Sequence, residues 1–299
     1  LITYVDEVMR TGIKVNEFAP RLAFFFVSHG DFFEEIAKFR AVRRAYAKIM
    51  KERFGAKNPD SMRLRFHTQT AAASLTKPQY MVNIIRTTLQ ALSAVLGGTQ
   101  SLHTNGMDEA FTIPTEEAMK IALRTQQVVA DESNAANVID PLGGSYYVEH
   151  LTTQMERAIL EVIEEVDRRG GTIKLIEEGW FQRRIADFAY DTAIKKARGE
   201  KVVLGVNKFV EPDAKADIET HPYDPTTARR QIERLQRVRR ERDQREVERL
   251  FDRLIEAARD EDENIMPVTI DLVRAGASMG EIVERLKALW GTYRETPVF

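Results

Sequence analysis

The stretch that decides the fold is Met62–His103, MRLRFHTQTAAASLTKPQYMVNIIRTTLQALSAVLGGTQSLH. Residues 62–67 alternate apolar and polar side chains, which is the two-residue period of a half-buried strand. A polar loop follows, and a helix is predicted from Pro78 to Leu96, where a Gly-Gly pair stops it. Because Thr99–His103 predicts another strand, the stretch has the strand, helix, strand order of a parallel pair.

The same alternation continues on both sides of this stretch. Leu22–Val27 predicts an upstream strand, residues 31–53 predict an amphipathic helix, and Thr115 begins a further helix. Three strand-helix units in a row favour an α/β fold with a parallel sheet, either open or closed into a barrel. In such folds the loops at the carboxyl ends of the strands form the active site, so the loops after His67 and His103 are where chemistry is expected.

The second half of the chain has helical patterns, at about residues 151–169, 172–198 with interruptions, 226–259 and 277–290. We therefore predict a β/α part over residues 1–150 and a mostly helical extension over residues 151–299. The stretch 229–253 holds ten Arg and six acidic residues at helical spacing. This pattern favours a solvated helix with internal ion pairs over an arm that binds RNA or phosphate.

The composition excludes several classes of protein. With 44 Lys and Arg against 46 Asp and Glu, no charge excess drives general binding to nucleic acid or anionic membranes. The absence of cysteine excludes disulfides, a thiolate nucleophile and Cys-ligated metals, and a reducing cytoplasm is expected. No run approaches the roughly 20 apolar residues of a membrane span. Because the chain opens at Leu1 directly in a helical pattern, we expect it to be part of a longer protein.

Two polar regions could carry chemistry. His67 could be an acid, a metal ligand, a hydrogen-bond donor to a ligand or a structural residue. Gln69 and Thr70 beside it favour a ligand somewhat, since amides and hydroxyls orient polar ligands. Residues 97–109, GGTQSLHTNGMDE, could hold a sugar or nucleoside by several hydrogen bonds. Turn and capping chemistry explains that composition equally well.

No metal site is predicted. The five His residues, at positions 29, 67, 103, 150 and 221, show no metal-binding spacing. The run from Ser101 to Gly106 approaches the Asp-x-His-x-x-Gly motif that supplies a cobalt ligand in one class of cobalamin modules. Its first position is Ser, so the carboxylate that would polarise His103 is missing, which counts against cobalt ligation by this chain.

Three blocks carry a resemblance to a known family. They are FHTQTAAASLT (66–76), GTQSLHTNGMDE (98–109) and DPLGGSYYVE (140–149). In content, order and spacing they resemble successive signature blocks of the methylmalonyl-CoA mutase family, the coenzyme-B₁₂-dependent acyl-CoA mutases. The resemblance extends along essentially the whole chain, and the end, WGTYRETPVF (290–299), is similar to the large subunits of the family's 2-hydroxyisobutyryl-CoA branch.

The resemblance implies a (β/α)₈ TIM barrel that admits an acyl-CoA thioester, of which this chain would be the C-terminal portion. It implies adenosylcobalamin as the cofactor and a radical 1,2-rearrangement of the acyl-CoA carbon skeleton. The cofactor performs that chemistry, while the protein orients the substrate and excludes water.

Site residues follow from the resemblance position by position. Gln69, Asn105 and Glu109 match positions that contact the adenosyl group. Substrate-binding positions are matched by Arg21, His67, Gln100 and Ser101. No catalytic residue is expected in this chain, because the family's acid histidine lies in a Ser-Gly-Tyr-His run that is expected upstream of Leu1.

Departures from the family pattern bear on the substrate and the partners. Ala23, the run Ala71-Ala72-Ala73 and the run 120–126 differ from strict methylmalonyl-CoA mutases and favour the isobutyryl and 2-hydroxyisobutyryl branch, with 2-hydroxyisobutyryl-CoA and 3-hydroxybutyryl-CoA as the expected acyl-CoA pair. A hetero-oligomer is expected, formed with an N-terminal barrel segment and a small cobalamin-binding subunit, and a G-protein repair chaperone is a further expected partner. A different class of function is also open: a non-catalytic assembly module whose helical tail binds the cobalamin subunit.

Overall fold

The computed structural model describes residues 1–211 and 218–295. Contacts within the chain divide it into two compact units, Leu1–His221 and Pro222–Thr296, each with its own hydrophobic core. The predicted boundary near residue 150 marks the end of the barrel sequence, whereas this division marks compact units. The two need not coincide, so the boundary near residue 150 stays a prediction.

The first unit contains a parallel sheet of three strands in its described residues. Their order follows the chain: β1 (Phe24–Ser28), β2 (Phe66–Thr70) and β3 (Ser101–His103). Phe24 pairs with Phe66, and His67 pairs with Ser101. The predicted parallel α/β arrangement is therefore confirmed, while three strands do not by themselves show a closed barrel.

Strand β2 lies further along the chain than the sequence pattern predicted. The alternation over residues 62–67 predicted the strand there, but Met62 ends a 3₁₀ turn and the strand begins at Phe66. The pairing partner decides this boundary, because β1 starts at Phe24 and Phe24 pairs with Phe66. The prediction of a loop directly after His67 was thus wrong, and the loop begins after Thr70.

The first unit also contains α-helices, some of which cover one face of the sheet. Their bounds are α1 Ile2–Arg10, α2 Val15–Phe18, α3 Phe32–Lys48, α4 Val82–Leu96, α5 Glu116–Gln127, α6 Tyr146–Arg168, α7 Thr172–Glu177 and α8 Trp180–Ala197. Asp31 caps α3 and Thr115 caps α5, each accepting a hydrogen bond from a backbone N–H three residues on. The β-prone residues 202–206 form a turn with one isolated bridge, between Leu204 and Lys208.

Aromatic packing holds α3 against the sheet. The ring of Phe39 is fully buried, stacks on Phe66 at 5.2 Å between centroids and meets Phe26 edge-on at 6.3 Å. A Cβ atom at Gly97 would lie 2.6 Å from Cδ2 of Phe39. The glycine that ends α4 is therefore also required by the core, because any side chain there would displace Phe39.

Ion pairs join α3 to α6. Arg40 donates to Glu149 at 2.6 Å, to Asp140 at 3.1 Å and to the Thr152 hydroxyl at 3.1 Å. Further along both helices, Arg44 and Lys48 pair with the buried Glu156, and Arg53 pairs with Asp167 at 2.6 Å. Because residue numbers rise together along this row of pairs, α3 and α6 run in the same direction.

The second unit is helical. It contains α9 Thr226–Glu241, α10 Gln244–Arg259, α11 Met266–Arg274 and α12 Met279–Trp290. The prediction of one helix over residues 226–259 was wrong, because Asp243 accepts hydrogen bonds from the N–H groups of Arg245 and Glu246 and starts a new helix there. The core of this unit comes mainly from α10, on which Val247, Phe251 and Leu254 are buried.

One nearly buried ion pair ties the end of α9, where Arg242 is the C-cap, to α12. The guanidinium of Arg242 donates to Glu281 at 2.7 and 3.0 Å and to the carbonyl oxygen of Gly276 at 3.0 Å. Glu281 also accepts from the Ser278 hydroxyl and backbone N–H in a capping box. These hydrogen bonds, that of Arg242 first, hold the pKa of Glu281 well below its usual range.

In the described part of the chain, no helix is long and apolar enough to cross a membrane.

We expect Arg40→Ala to destabilise the chain by about 2 kcal/mol, because it removes charge-assisted bonds from a side chain that is only 11% exposed. The matched control is Arg53→Ala, which removes a more exposed pair with Asp167 and should cost less than about 1 kcal/mol. Urea unfolding of both variants measures the difference. Equal losses of unfolding free energy in the two variants would contradict the prediction that the bonds of Arg40 contribute more than the pair of Arg53.

The Glu281 pair predicts a stability that depends on pH. Because the folded pKa of Glu281 is lowered, its contribution is complete above the ordinary carboxyl pKa of about 4 and is lost as the pH falls towards the lowered folded value. Glu281→Gln should therefore lower the melting temperature at neutral pH, and the gap to the wild type should narrow below about pH 4.

Glu284→Gln is the control for this pH dependence, since Glu284 is exposed and, among the described residues, its carboxylate pairs with Lys287 alone, one turn away. Its melting temperature should differ little from that of the wild type at either pH. A gap for Glu281→Gln that does not change with pH would contradict the prediction.

Candidate ligand-binding site on the open face of the sheet

The two faces of the sheet have different environments. Strand alternation sends Phe66, Thr68 and Thr70 of β2 towards the helices, where all three are buried. His67 and Gln69 lie on the opposite face and are only partly covered. Their neighbours on β1 are Phe25, which is 60% exposed, and Val27, which is 46% exposed. This open face mixes apolar surface with a few polar groups, which is the usual composition of a ligand pocket.

The first row across the open face is Phe25, His67 and Ser101, which the strand register places side by side. Nδ1 of His67 is 2.7 Å from the Ser101 hydroxyl oxygen. The imidazole also lies against the Phe25 ring, at 4.9 Å between centroids. Two predicted substrate-binding residues, His67 and Ser101, are thus in direct contact, and each orients the other.

The second row brings together two of the predicted adenosyl-binding residues. Nε2 of Gln69 donates to Oδ1 of Asn105 at 2.9 Å. Asn105 follows β3 and is held by Thr70: its side-chain Nδ2 donates to the Thr70 carbonyl oxygen at 2.8 Å, and its backbone N–H donates to the Thr70 hydroxyl at 3.0 Å. Asn105 is almost fully buried, so its amide has a structural role in addition to any contact with a ligand.

Glu109, the third predicted adenosyl-binding residue, lies in the turn after Asn105. Its backbone N–H donates to the Gly106 carbonyl oxygen at 3.2 Å. Its carboxylate is partly buried and has no hydrogen bond or ion pair within the described residues. The neighbouring Asp108 is fully buried, and its carboxylate accepts from the N–H of Thr115 at 2.8 Å. The turn is therefore anchored by Asp108, and Glu109 is left available to a ligand.

The other two predicted substrate-binding residues have different surroundings. Arg21 is exposed in a 3₁₀ turn before β1, at the opposite end of the strands from Asn105 and Glu109. The structure does not bring Arg21 together with the adenosyl-binding positions. Gln100 bonds to the backbone at both ends of its amide: Oε1 accepts from the Phe66 N–H at 2.7 Å, and Nε2 donates to the Gly98 carbonyl oxygen at 3.0 Å. A ligand contact at Gln100 would have to replace one of these bonds.

One residue of the site, Phe25, was not singled out from the sequence, and it supplies much of the exposed apolar surface beside His67. Thr70 was named there as a residue that orients a ligand, but its side chain is buried and anchors Asn105. The signal for Phe25 is its place in the predicted strand, since every second residue of a half-buried strand faces away from the core. No local pattern indicates the role of Thr70, because its partner is 35 residues away.

A histidine at the carboxyl end of β1 has a shifted pKa. His29 follows β1, and its Nδ1 accepts from the Gly30 N–H at 2.7 Å. Partial burial, followed by the nearby positive charge of Lys201, lowers the pKa of His29. A neutral His29 adds no positive charge to the carboxyl ends of the strands.

Within the described residues, no group of three or more His, Cys, Asp or Glu side chains could hold a metal ion. His103 belongs to the run that approaches a cobalt-ligand motif; it lies on β3 and has no hydrogen bond to a carboxylate among the described residues.

Comparison with known proteins identifies the family. Residues 1–292 match the family model for methylmalonyl-CoA mutase, and the chain belongs to the methylmalonyl-CoA mutase family. The resemblance read from the three sequence blocks is thereby confirmed, and the family's members are mutases, a type of isomerase.

Three individual proteins show how similar the chain is to members of this family. The chain is 71% identical over 299 residues to the 2-hydroxyisobutanoyl-CoA mutase large subunit of Aquincola tertiaricarbonis, covering 100% of this chain and 53% of that protein. It is 40% identical over 294 residues to the human mitochondrial methylmalonyl-CoA mutase, covering 98% of this chain and 39% of that one. It is 38% identical over 296 residues to the methylmalonyl-CoA mutase of Rhizobium meliloti, covering 98% of this chain and 41% of that protein. The chain thus spans about half the length of the first relative and less of the others.

The contacts of Asn105 and Glu109 predict that truncation to Ala destabilises the chain at Asn105 and has little effect at Glu109. Asn105→Ala leaves the buried Thr70 carbonyl without its side-chain donor and should cost about 1–3 kcal/mol. Glu109→Ala removes no bond within the described residues and should change the unfolding free energy by less than about 0.5 kcal/mol. Urea unfolding distinguishes the two, and a large loss for Glu109→Ala would show that its carboxylate has a structural role.

Proposed function

We propose that this chain is a segment of the large, substrate-binding subunit of an adenosylcobalamin-dependent acyl-CoA mutase. The observation that carries the proposal is the open face of the sheet, on which the matched positions His67, Gln69 and Ser101 lie side by side next to exposed apolar residues. Family membership and the 71% identity to a 2-hydroxyisobutanoyl-CoA mutase large subunit support it.

The proposed reaction is a radical 1,2-rearrangement of the carbon skeleton, and the proposed acyl-CoA pair is 2-hydroxyisobutyryl-CoA and 3-hydroxybutyryl-CoA. The identity to the 2-hydroxyisobutanoyl-CoA mutase subunit favours this pair over methylmalonyl-CoA or isobutyryl-CoA, because identity to the methylmalonyl-CoA mutases is much lower. We propose that the acid histidine belongs to another part of the complete protein.

The three strands are proposed to be part of a (β/α)₈ barrel, with the open face as part of its inner wall. Exposed Phe25 and Val27 support this, since apolar residues on a sheet face require cover by further protein or by a ligand. Arg21 lies at one end of the strands and Glu109 beyond the other, so a long thioester that runs along the strands could contact both ends.

The residues present fit an adenosyl group at the carboxyl end of the strands. Glu109 offers a partly buried carboxylate, and Gln69 offers an amide oxygen without a partner among the described residues, and both can accept from ribose hydroxyls. When bound, adenosylcobalamin supplies a carbon radical by cleavage of its cobalt–carbon bond. In this proposal Gln69, Asn105 and Glu109 orient the ribose, while His67 donates a hydrogen bond to the substrate and Phe25 helps to exclude water.

The proposed assembly is a cytoplasmic hetero-oligomer. Its members would be the complete large subunit, with its N-terminal barrel segment, and a small subunit that binds cobalamin and supplies the cobalt ligand. The printed name of the first relative, a large subunit, supports the small partner. A G-protein repair chaperone is proposed as a further partner on the family resemblance alone. The lack of cysteine agrees with a reducing compartment.

The test uses the complete large subunit mixed with its small subunit, adenosylcobalamin and 2-hydroxyisobutyryl-CoA. We expect conversion to 3-hydroxybutyryl-CoA, with less or none from methylmalonyl-CoA and isobutyryl-CoA, measured by chromatography of the CoA esters. Conversion of methylmalonyl-CoA alone would overturn the substrate assignment. If the subunits associate but no acyl-CoA is rearranged, the chain would be an assembly module and the enzyme proposal would be wrong.

In that complete enzyme we expect Gln69→Ala to slow cobalt–carbon bond cleavage by about tenfold or more while changing the KM for acyl-CoA little, because Gln69 is proposed to contact the adenosyl group. Stopped-flow absorbance measures the cleavage. Ser101→Ala is the matched control on the same face: it should raise the KM for acyl-CoA more than it slows cleavage. If Ser101→Ala slowed cleavage and Gln69→Ala raised the KM, Ser101 would be the adenosyl contact and Gln69 the acyl-CoA contact.

A further inference from the structure

Two successive hydrogen bonds, which link Thr70, Asn105 and Gln69, determine which way the Gln69 amide points. The Thr70 carbonyl oxygen accepts from Nδ2 of Asn105 at 2.8 Å, and Oδ1 of Asn105 accepts from Nε2 of Gln69 at 2.9 Å. A backbone carbonyl can only accept, so the atom of Asn105 that faces it must be the nitrogen. The other end of that amide is then an oxygen, and the atom of Gln69 that faces it must also be a nitrogen.

The Asn105 amide, in the middle of this series of hydrogen bonds, cannot exchange the positions of its nitrogen and oxygen. Thr70 and Asn105 are 1% and 2% exposed, so the bond between them is shielded from water. The Thr70 hydroxyl accepts from the backbone N–H of Asn105 at 3.0 Å. On the other side, Thr104 donates to the Ala122 carbonyl oxygen at 2.7 Å and accepts from Gln126 at 3.0 Å. The segment that carries Asn105 is therefore fixed both to β2 and to α5.

We infer that Thr70 is a positioning residue: its carbonyl fixes the polarity of the Gln69 amide through Asn105, and its hydroxyl holds Asn105 against that carbonyl, so that Gln69 presents its oxygen, Oε1, to the open face. Within the described residues this oxygen has no partner. The site consequently selects, at this point, a ligand group that donates a hydrogen bond, such as a hydroxyl, over a group of similar size that can only accept. That the donor is a ribose hydroxyl of an adenosyl group rests on the proposed function.

The first test needs no ligand and uses the complete large subunit. In Gln69→Glu a carboxylate oxygen faces Oδ1 of Asn105, and two acceptors cannot bond. We expect a melting temperature several degrees below that of the wild type at about pH 8. Because the neutral acid can donate to Asn105, the folded pKa of the new carboxyl is raised, and the deficit should shrink by about pH 5.

Gln127→Glu is the matched control for this measurement. The oxygen of Gln127 accepts from Arg124 on the surface of α5, so a carboxylate there keeps its partner. Its melting temperature should follow that of the wild type at both pH values. If Gln69→Glu is as stable as the wild type at about pH 8, the inferred polarity is wrong.

The second test measures selectivity in the complete large subunit with its small subunit. The probe is 5′-deoxyadenosine, compared by calorimetry with its 2′-fluoro and 3′-fluoro analogues, in which a hydroxyl that donates is replaced by an atom that cannot. We expect at least one replacement to weaken binding by about tenfold, as for a lost hydrogen bond to a buried acceptor. If both fluoro analogues bind as tightly as the parent, the inference is overturned.

Variants at Thr70 show whether that residue sets the selectivity. Thr70→Val removes the hydroxyl that holds Asn105, and the preference for hydroxyl over fluorine should fall several-fold. Thr70→Ser keeps the hydroxyl and should retain the preference. An unchanged preference in Thr70→Val would overturn the positioning role of the Thr70 hydroxyl, since this variant keeps the carbonyl that Asn105 faces. If 5′-deoxyadenosine does not bind at all, the proposed adenosyl site fails, while the pH dependence of Gln69→Glu still decides the polarity.

Discussion

The candidate site depends on one constraint, the alternation of side chains along β2 in register with its two neighbours. Phe66 and Thr68 point to the helices because Phe39 of α3 packs on that face. His67 and Gln69 are then forced to the other face, beside Phe25 and Ser101. A shift of the register by one residue would exchange the two faces, burying His67 and exposing Phe66. The aromatic packing on one face thus maintains the polar arrangement on the other.

Buried polar bonds help to hold the loops at the carboxyl ends of the strands. Two buried amides of α4 make these bonds: Gln90 accepts from the Ala71 N–H at 2.9 Å, and Asn83 donates to the Thr76 and Met107 carbonyl oxygens at 2.9 and 3.0 Å. Both loops that adjoin the open face are therefore tied to a single helix. Fully bonded buried amides allow few alternative arrangements, which suits a site that must hold a ligand in one orientation.

The two units of the chain use charge in similar ways. In the first unit Arg40 links α3 to the residues that start α6, and in the second unit Arg242 links the end of α9 to α12. Each guanidinium is mostly buried and bonds to more than one acceptor, the situation in which an ion pair contributes to one defined packing. Of the arginines between residues 229 and 253, which the sequence pattern assigned to a solvated surface, Arg242 is thus part of the packing.

The sequence by itself determined the period of each element, the caps of α3 and α5, the parallel α/β class and the family, because these depend on residues close together in the chain or on blocks that can be compared directly. It predicted the open face only in part: His67, Gln69 and Ser101 were identified, but β2 was placed too early. The tertiary structure decided where β2 begins, that Gln100 bonds to backbone, that residues 226–259 form two helices, and that Thr70 holds Asn105. Each of these depends on a partner distant in the chain or on a local bond that competes with a continuing pattern, and neither is visible in side-chain periodicity.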